Sequence, residues 1–179
     1  MRTAITPNLW FDTAALPAAE FYTSVFDNSR ILRVTHFTEA GPRPAGTVLT
    51  VDFELDGNRF VALNGGPEFT FDEAVSFQID CADQAEIDYY WRRLSEGGSE
   101  GPCGWVTDQF GLRWQVVPTE LDELIADTDP ARSERAMRAM LTMGKLDLAA
   151  LRAAADGTAA TQDSPQKASQ AEAEGAPQP

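Results

Sequence analysis

Few residues in this 179-residue chain are of types that do chemistry, and their spacing narrows what they could do. There is one histidine, His36, and there are two cysteines, Cys81 and Cys103. Two cysteines give neither a disulfide framework nor the paired spacing of a zinc site. Cys103, beside Gly104-Trp105, could be a nucleophilic thiol. No cation or imidazole lies close in sequence to lower its pKa, so a quiet thiol is the plainer reading. His36 sits in a strand-like segment without an apparent partner and reads as a surface or packing residue. Asp108 could accept a hydrogen bond at the rim of a site or act as a general base. An aspartate ahead of a tight turn more commonly caps the turn. Asn64-Gly65-Gly66-Pro67 leaves a strand and could offer backbone amides to an anion, yet it lacks a phosphate-loop pattern and reads as a linker. Glu68 and Asp72-Glu73 form no evident acid–base dyad and read as a solvated loop edge.

The elements that must position these residues come in two similar sets. DTAALPAAEFY (12–22) resembles DCADQAEIDYY (80–90), each an aspartate followed at one offset by an aromatic pair. GNRFVAL (57–63) matches GLRWQVV (111–117), with Gly57/Gly111, Arg59/Arg113 and Phe60/Trp114 in register. Two matches in the same order indicate duplication of one strand–helix–strands unit, and the cavity between two such units is where function should lie. In the first unit, 4–11 reads as a strand and 14–26 as a helix with Pro17 in its first turn. Strands are expected at 30–38, 47–55 and 58–65, the last two joined by the Asp56-Gly57 hairpin dipeptide. In the second, 75–81 is a strand and 85–96 a helix ended by Gly97-Gly98. A short strand near 99–102 and the pair 103–108 and 111–118 complete it. The sequence therefore predicts an α+β fold of tandem βαβββ modules, about 4–65 and 74–118. A helical extension is expected over 119–156. There Leu121, Leu124 and Ile125 form one stripe and Met137, Met140 and Leu141 another, suited to docking on the core or a second subunit. Residues 157–179 are poor in large apolar side chains and read as a disordered tail.

Bulk properties exclude several classes of function. Apolar content of 43%, with ten Phe and four Trp, fits a globular core. The net charge of −14 opposes binding to nucleic acid or anionic membranes, and serves solubility more readily than a specific cationic partner. Met1-Arg2 is followed by no apolar leader segment, and no apolar run is long enough to span a bilayer, so a soluble cytoplasmic protein is expected.

The paired units resemble the vicinal oxygen chelate superfamily of glyoxalase I, extradiol dioxygenases and bleomycin-resistance proteins. The chain is most similar to its PhnB-like branch, often catalogued as 3-demethylubiquinone-9 3-methyltransferase domain proteins. NLWFD (8–12), FYTSVF (21–26), LNGGPEFTFDEAVSFQIDC (63–81), DYYWRRLSEGG (88–98), CGWVTDQFGLRWQVVP (103–118) and AMLTMGKLDLAALRAA (139–154) carry the similarity. The resemblance implies that each sheet curls into half of a cup. In catalytic members a divalent ion is held there by one residue on the first and one on the last strand of each unit. Counting from the aspartate-ended strands places those positions near Thr6, Ala74, Val61 and Gln115. Thr, Ala and Val supply no adequate donors, and Gln115 alone cannot hold a divalent ion. The neighbours Ile5, Pro7, Val75, Trp114 and Val116 are no better, so neither a metal nor another cofactor is expected.

Strand periodicity then sorts the implied cup's lining. Thr6, Asn8 and Trp10 share one face of the first strand, opposite Ile5, Pro7, Leu9 and Phe11; Ala74, Ser76 and Gln78 oppose Val75, Phe77 and Ile79. With the apolar sets under the helices, Asn8, Trp10, Ser76, Gln78 and Gln115 face inward. Trp105 adds a wall, and Asn64 and Asp108 stand at the rim. Such a lining suits a small planar or amphiphilic molecule. The leading expectation is a metal-free small-molecule binding protein acting by sequestration or sensing. The alternatives are a lyase- or dioxygenase-like enzyme with a displaced or absent metal site, and a structural homodimer with a vestigial cup. The superfamily's habit of pairing or exchanging modules implies a homodimer in each case. Methyl transfer has little support, because strands joined by hairpins do not follow the alternating β/α plan with a Gly-rich first turn.

Overall fold

In the computed structural model, residues 5–158 are described. The first unit comprises β1 (Asn8–Phe11), α1 (Ala15–Val25), β2 (Arg30–His36), β3 (Val48–Leu55) and β4 (Asn58–Asn64). The second comprises β5 (Phe77–Cys81), α2 (Gln84–Ser95), β6 (Ser99–Glu100), β7 (Trp105–Thr107) and β8 (Arg113–Pro118). Their sheets have the orders β1-β4-β3-β2 and β5-β8-β7-β6, with the first strand parallel to the last in each. The Asp56-Gly57 turn reverses β3 into β4 with φ of 45° and 74°. Two consecutive positive φ values are what a tight hairpin of this twist demands.

Alternation along the strands drives the packing. Leu9 and Phe11 of β1, Phe60 and Ala62 of β4, and Trp114 and Val116 of β8 are buried, while their neighbours face outward. Ala15, Ala18 and Ala19 let α1 lie close to its sheet, and Tyr22 and Val25 extend the same buried face. One core contains both units, so the helix sides of the two sheets are sealed together.

The helices begin differently. Asp83 caps α2, accepting from the Glu86 amide at 3.0 Å, while Glu86 reaches back to the Ala82 amide at 2.7 Å. Ala14, before α1, offers no side-chain cap. Asn64 supplies it from β4, its Oδ1 accepting from the Ala15 amide at 2.8 Å and its Nδ2 donating to the Val48 carbonyl at 3.0 Å. Asn64→Ala should lower unfolding free energy by about 2 kcal/mol, for a lost cap and a partly buried carbonyl left unpaired. Urea unfolding checks this; a shift within experimental error would contradict the capping role.

The structure corrects the repeat register. Asn8 pairs with Val61, and Gln78 with Gln115. Asn8 is therefore the counterpart of Gln78, two residues beyond the Ser76 given by aligning Asp12 with Asp80. In the helices, buried Ala18, Tyr22 and Val25 correspond to Ile87, Trp91 and Leu94. The paired aromatics misled the alignment, since the place of Tyr22 in the core is taken by Trp91 and not by Tyr90.

The extension folds as α3 (Leu121–Ile125), α4 (Pro130–Met140) and α5 (Leu148–Ala155). Val117, Leu121, Leu146 and Leu151 form a second apolar cluster against which Met140 and Met143 pack. Ala136 is the buried residue of α4, and Leu141, expected on the packing stripe, is 61% exposed. The segment before α5 is tied to the second unit. The Cys103 and Gly104 amides donate to the Met143 and Gly144 carbonyls, each at 2.8 Å, and Gln84 bonds both Leu146 O and Leu148 N. Of the expected tail, only Gly157 and Thr158 lie within the described residues. Among those residues no helix is long and apolar enough to cross a membrane.

Candidate functional site

The outward faces of the two sheets carry most of the expected binding residues. On the second sheet, Gln78, Gln115 and Trp105 are successive cross-strand partners and form one row. The Gln115 amide donates to Ser76 Oγ at 2.8 Å, and that of Gln78 to Asp80 Oδ1 at 2.7 Å. Gln78 is exposed, while Ser76, Gln115 and Trp105 are half-buried. On the first sheet, Asn8 is exposed beside Val61, whose other neighbour is Asp52. Asp52 is ion-paired to Arg33 at 2.9 Å and to Arg59 at 3.6 Å. Trp10 donates from Nε1 to the Gly66 carbonyl at 2.8 Å and meets Phe69 edge-on at 5.2 Å. Its indole lies directly on Gly65, where a Cβ would come within 2.3 Å of the ring. Trp10 is thus held by the linker that joins the two units.

Asn64 and Asp108, expected at the rim, lie elsewhere. Asn64 is buried as the α1 cap, with its amide engaged at both ends. Asp108 is 2% exposed and accepts from the Phe110 and Leu112 amides at 2.8 and 3.1 Å and from Trp114 Nε1 at 2.8 Å. It builds the β7–β8 turn. Burial pushes its carboxyl above the usual range, against the opposing pull of those hydrogen bonds. The Tyr22 hydroxyl, buried close to it, is raised well above the ordinary phenol range by burial and by the Asp108 charge. Sealed from solvent, Asp108 has no route to a substrate proton.

The strand pairing also sharpens the test for a metal. The positions facing one another across the parallel strand pairs are Asn8 with Val61 and Gln78 with Gln115, replacing Thr6 and Ala74 of the sequence count. Three neutral amides and an aliphatic side chain, with no carboxylate, imidazole or thiolate among them, do not make an adequate donor set for a divalent ion. Among the described residues, no group of three or more His, Cys, Asp or Glu side chains is arranged to hold one.

Of the remaining candidates, Cys103 is half-buried and donates from Sγ to the Met140 carbonyl at 3.6 Å. His36 is exposed at the end of β2 opposite Val48. Burial, with the nearby Glu86, Asp80 and Asp83 carboxylates, pushes the Cys81 thiol up to about 12. Cys81 should therefore resist iodoacetamide at pH 8 in the native protein and react fully in denaturant. Native labelling of Cys81, read by peptide mass, would contradict its burial.

Two cavities were not anticipated. One of about 490 Å³ lies where Trp10 and the linker approach the β7–β8 turn at Phe110. The other, about 730 Å³, is a groove between the units that includes Phe26, Asp27, Leu55, Asp56, Ile79 and Asp80 in its lining. Phe26-Asp27 and Leu55-Asp56 close α1 and β3, while Ile79-Asp80 lies within β5.

Two βαβββ sheets with the first strand parallel to the last define a vicinal oxygen chelate fold. Within that class, the chain belongs to the 3-demethylubiquinone-9 3-methyltransferase family, whose profile matches residues 3–117. It is similar to the PhnB protein from Bacillus cereus at 32% identity, covering 65% of this chain and 99% of that one, with a TM-score of 0.58. It shares its fold with protein PA1353 from Pseudomonas aeruginosa, at 21% identity, 64% and 96% coverage, and a TM-score of 0.53. Among curated proteins, none is close enough in sequence to match.

Proposed function

We propose that this protein binds a small planar or amphiphilic molecule without a metal, by sequestration or sensing, on its outward sheet faces. The observation that carries this reading is the Gln78–Gln115–Trp105 row, which offers neutral amides beside an aromatic plane and no ionic donor set. Amides fix orientation through hydrogen bonds, and the indole supplies apolar area. The C-terminal helices cover the second sheet's outward face at its Val117 end, and a second copy facing the rest would complete the cup, making the working form a homodimer. Methyl transfer from S-adenosylmethionine finds no support in a chain whose strands are β1-β4-β3-β2 and β5-β8-β7-β6, without alternating β/α order.

The test is a thermal-shift screen of planar amphiphiles against the full chain and against Gln115→Leu, a substitution of similar volume. A true ligand at 100 times its dissociation constant adds about 2.7 kcal/mol to the wild type, and Gln115→Leu should lose most of that gain. Hits that stabilise both proteins equally would place binding elsewhere.

A further inference from the structure

The groove between the units is built unlike the sheet faces. Five aromatic rings line it in a chain of contacts. Phe60 meets Phe77 at 5.3 Å, Phe77 meets Trp114 at 5.7 Å, Trp114 meets Phe26 at 5.3 Å, and Phe26 stacks on Tyr90 at 5.2 Å. Around them stand four exposed carboxylates, Asp27, Asp56, Asp80 and Glu86. Arg59 is the one basic residue in the lining, and it leans on Asp52, which Arg33 also engages. Among the described residues none of the four carboxylates takes part in an ion pair. Asp80 and Glu86 accept only neutral donors, the Gln78 side chain and the Ala82 amide.

The two features select together. The carboxylates make the mouth negative, attracting cations and repelling anions. A small hydrated ion would gain little from the rings, whereas an apolar cation buries area on them and meets their negative faces. The volume of about 730 Å³ falls within the range of small-molecule sites. The local field is felt by Tyr90, whose hydroxyl is raised first by burial and then by the charges of Asp27 and Glu86. We propose that this groove is a binding site for a hydrophobic organic cation, such as a quaternary ammonium, a phosphonium or a protonated aromatic amine. It is held against the half-buried Phe26, Phe77 and Tyr90 rings by the carboxylates at the mouth. The site is separate from the sheet-face row, touching it only at Gln78.

Tetraphenylphosphonium and tetraphenylborate, alike in shape and opposite in charge, test this by calorimetric titration of the full chain at low salt. The phosphonium should bind at one site per chain and the borate at least about tenfold more weakly. Asp27→Asn with Asp56→Asn should weaken phosphonium binding about fivefold, as expected for losing two exposed charge contacts. Asparagine tolerates the φ of 45° at position 56, so the turn survives the substitution. The double variant Asp122→Asn with Glu123→Gln removes the same charge from α3 and should change affinity less than about twofold. Equal binding of the two ions, no saturable phosphonium binding, or equal losses in the two double variants would each overturn the proposal.

Discussion

Asp108→Ala is expected to lower unfolding free energy by about 3–5 kcal/mol. The carboxylate is 2% exposed and holds three donors, the Phe110 and Leu112 amides and Trp114 Nε1. Alanine leaves all three unpaired in a site water does not reach, at about 1–3 kcal/mol each before relaxation. The damage would spread, because the turn it shapes carries Phe110 onto Phe11, Phe21 and Tyr22 of the first unit. Asp108→Asn is milder, since one oxygen still serves the Phe110 and Leu112 amides, but its NH2 faces the Trp114 N–H. It also separates charge from shape. Burial raises the Asp108 carboxyl above its ordinary 3.8. Between that value and the raised one, the native state binds more protons than the unfolded chain, so this group's contribution to stability falls as pH rises through the window. Below 3.8 both states are protonated and the loss is absent. Urea unfolding across the acid range should show a steeper fall with rising pH in the wild type than in Asp108→Asn. Parallel curves would mean that the carboxyl is not titrating in the fold as described.

Gly104→Ala should cost about 2–4 kcal/mol, combining a left-handed backbone with a steric collision. Gly104 has a φ of 83°, and a Cβ there would lie 2.7 Å from the Val116 carbonyl oxygen and 3.3 Å from a Leu146 methyl. The closeness is required by pairing, because the Val116 amide donates to Gly104 O at 2.8 Å. The Gly104 amide in turn donates to Gly144, so one glycine fastens both β8 and the segment leading into α5. Hydrogen exchange should show α5 and β8 losing protection together in the variant. Loss confined to either element, or a stability change within about 0.5 kcal/mol, would contradict the double anchoring.

The fold was legible because its signals are local. Asp56-Gly57 marked the hairpin, Gly97 the end of α2, and the alternation in NRFVALN the buried face of β4. The register of the repeat was less legible, since Tyr89-Tyr90 imitates Phe21-Tyr22 in sequence while Trp91 fills the place of Tyr22 in the core. Of the expected binding residues, Ser76, Gln78, Gln115 and Trp105 lie together because period-two alternation fixes a strand's faces. Asn64 and Asp108 do not join them. Their partners, the Ala15 amide and the Trp114 indole, depend on how elements pack, and no periodicity in the sequence reports that. The groove was hidden for the same reason, as its rings and carboxylates come from separate elements of both units that only packing brings together.

The four facing strand positions, Asn8, Val61, Gln78 and Gln115, are expected to hold no metal. Thermal unfolding of chelator-treated protein, with Zn, Ni, Mn, Fe(II) and Mg added in turn and metal content read by elemental analysis, tests this most directly. An ion held at 100 times its dissociation constant would add about 2.7 kcal/mol, a clear shift in midpoint. The donor set predicts no selective shift and no stoichiometric metal. A large shift with one ion, retained at one per site, would contradict the account and turn the chain into a metalloenzyme candidate.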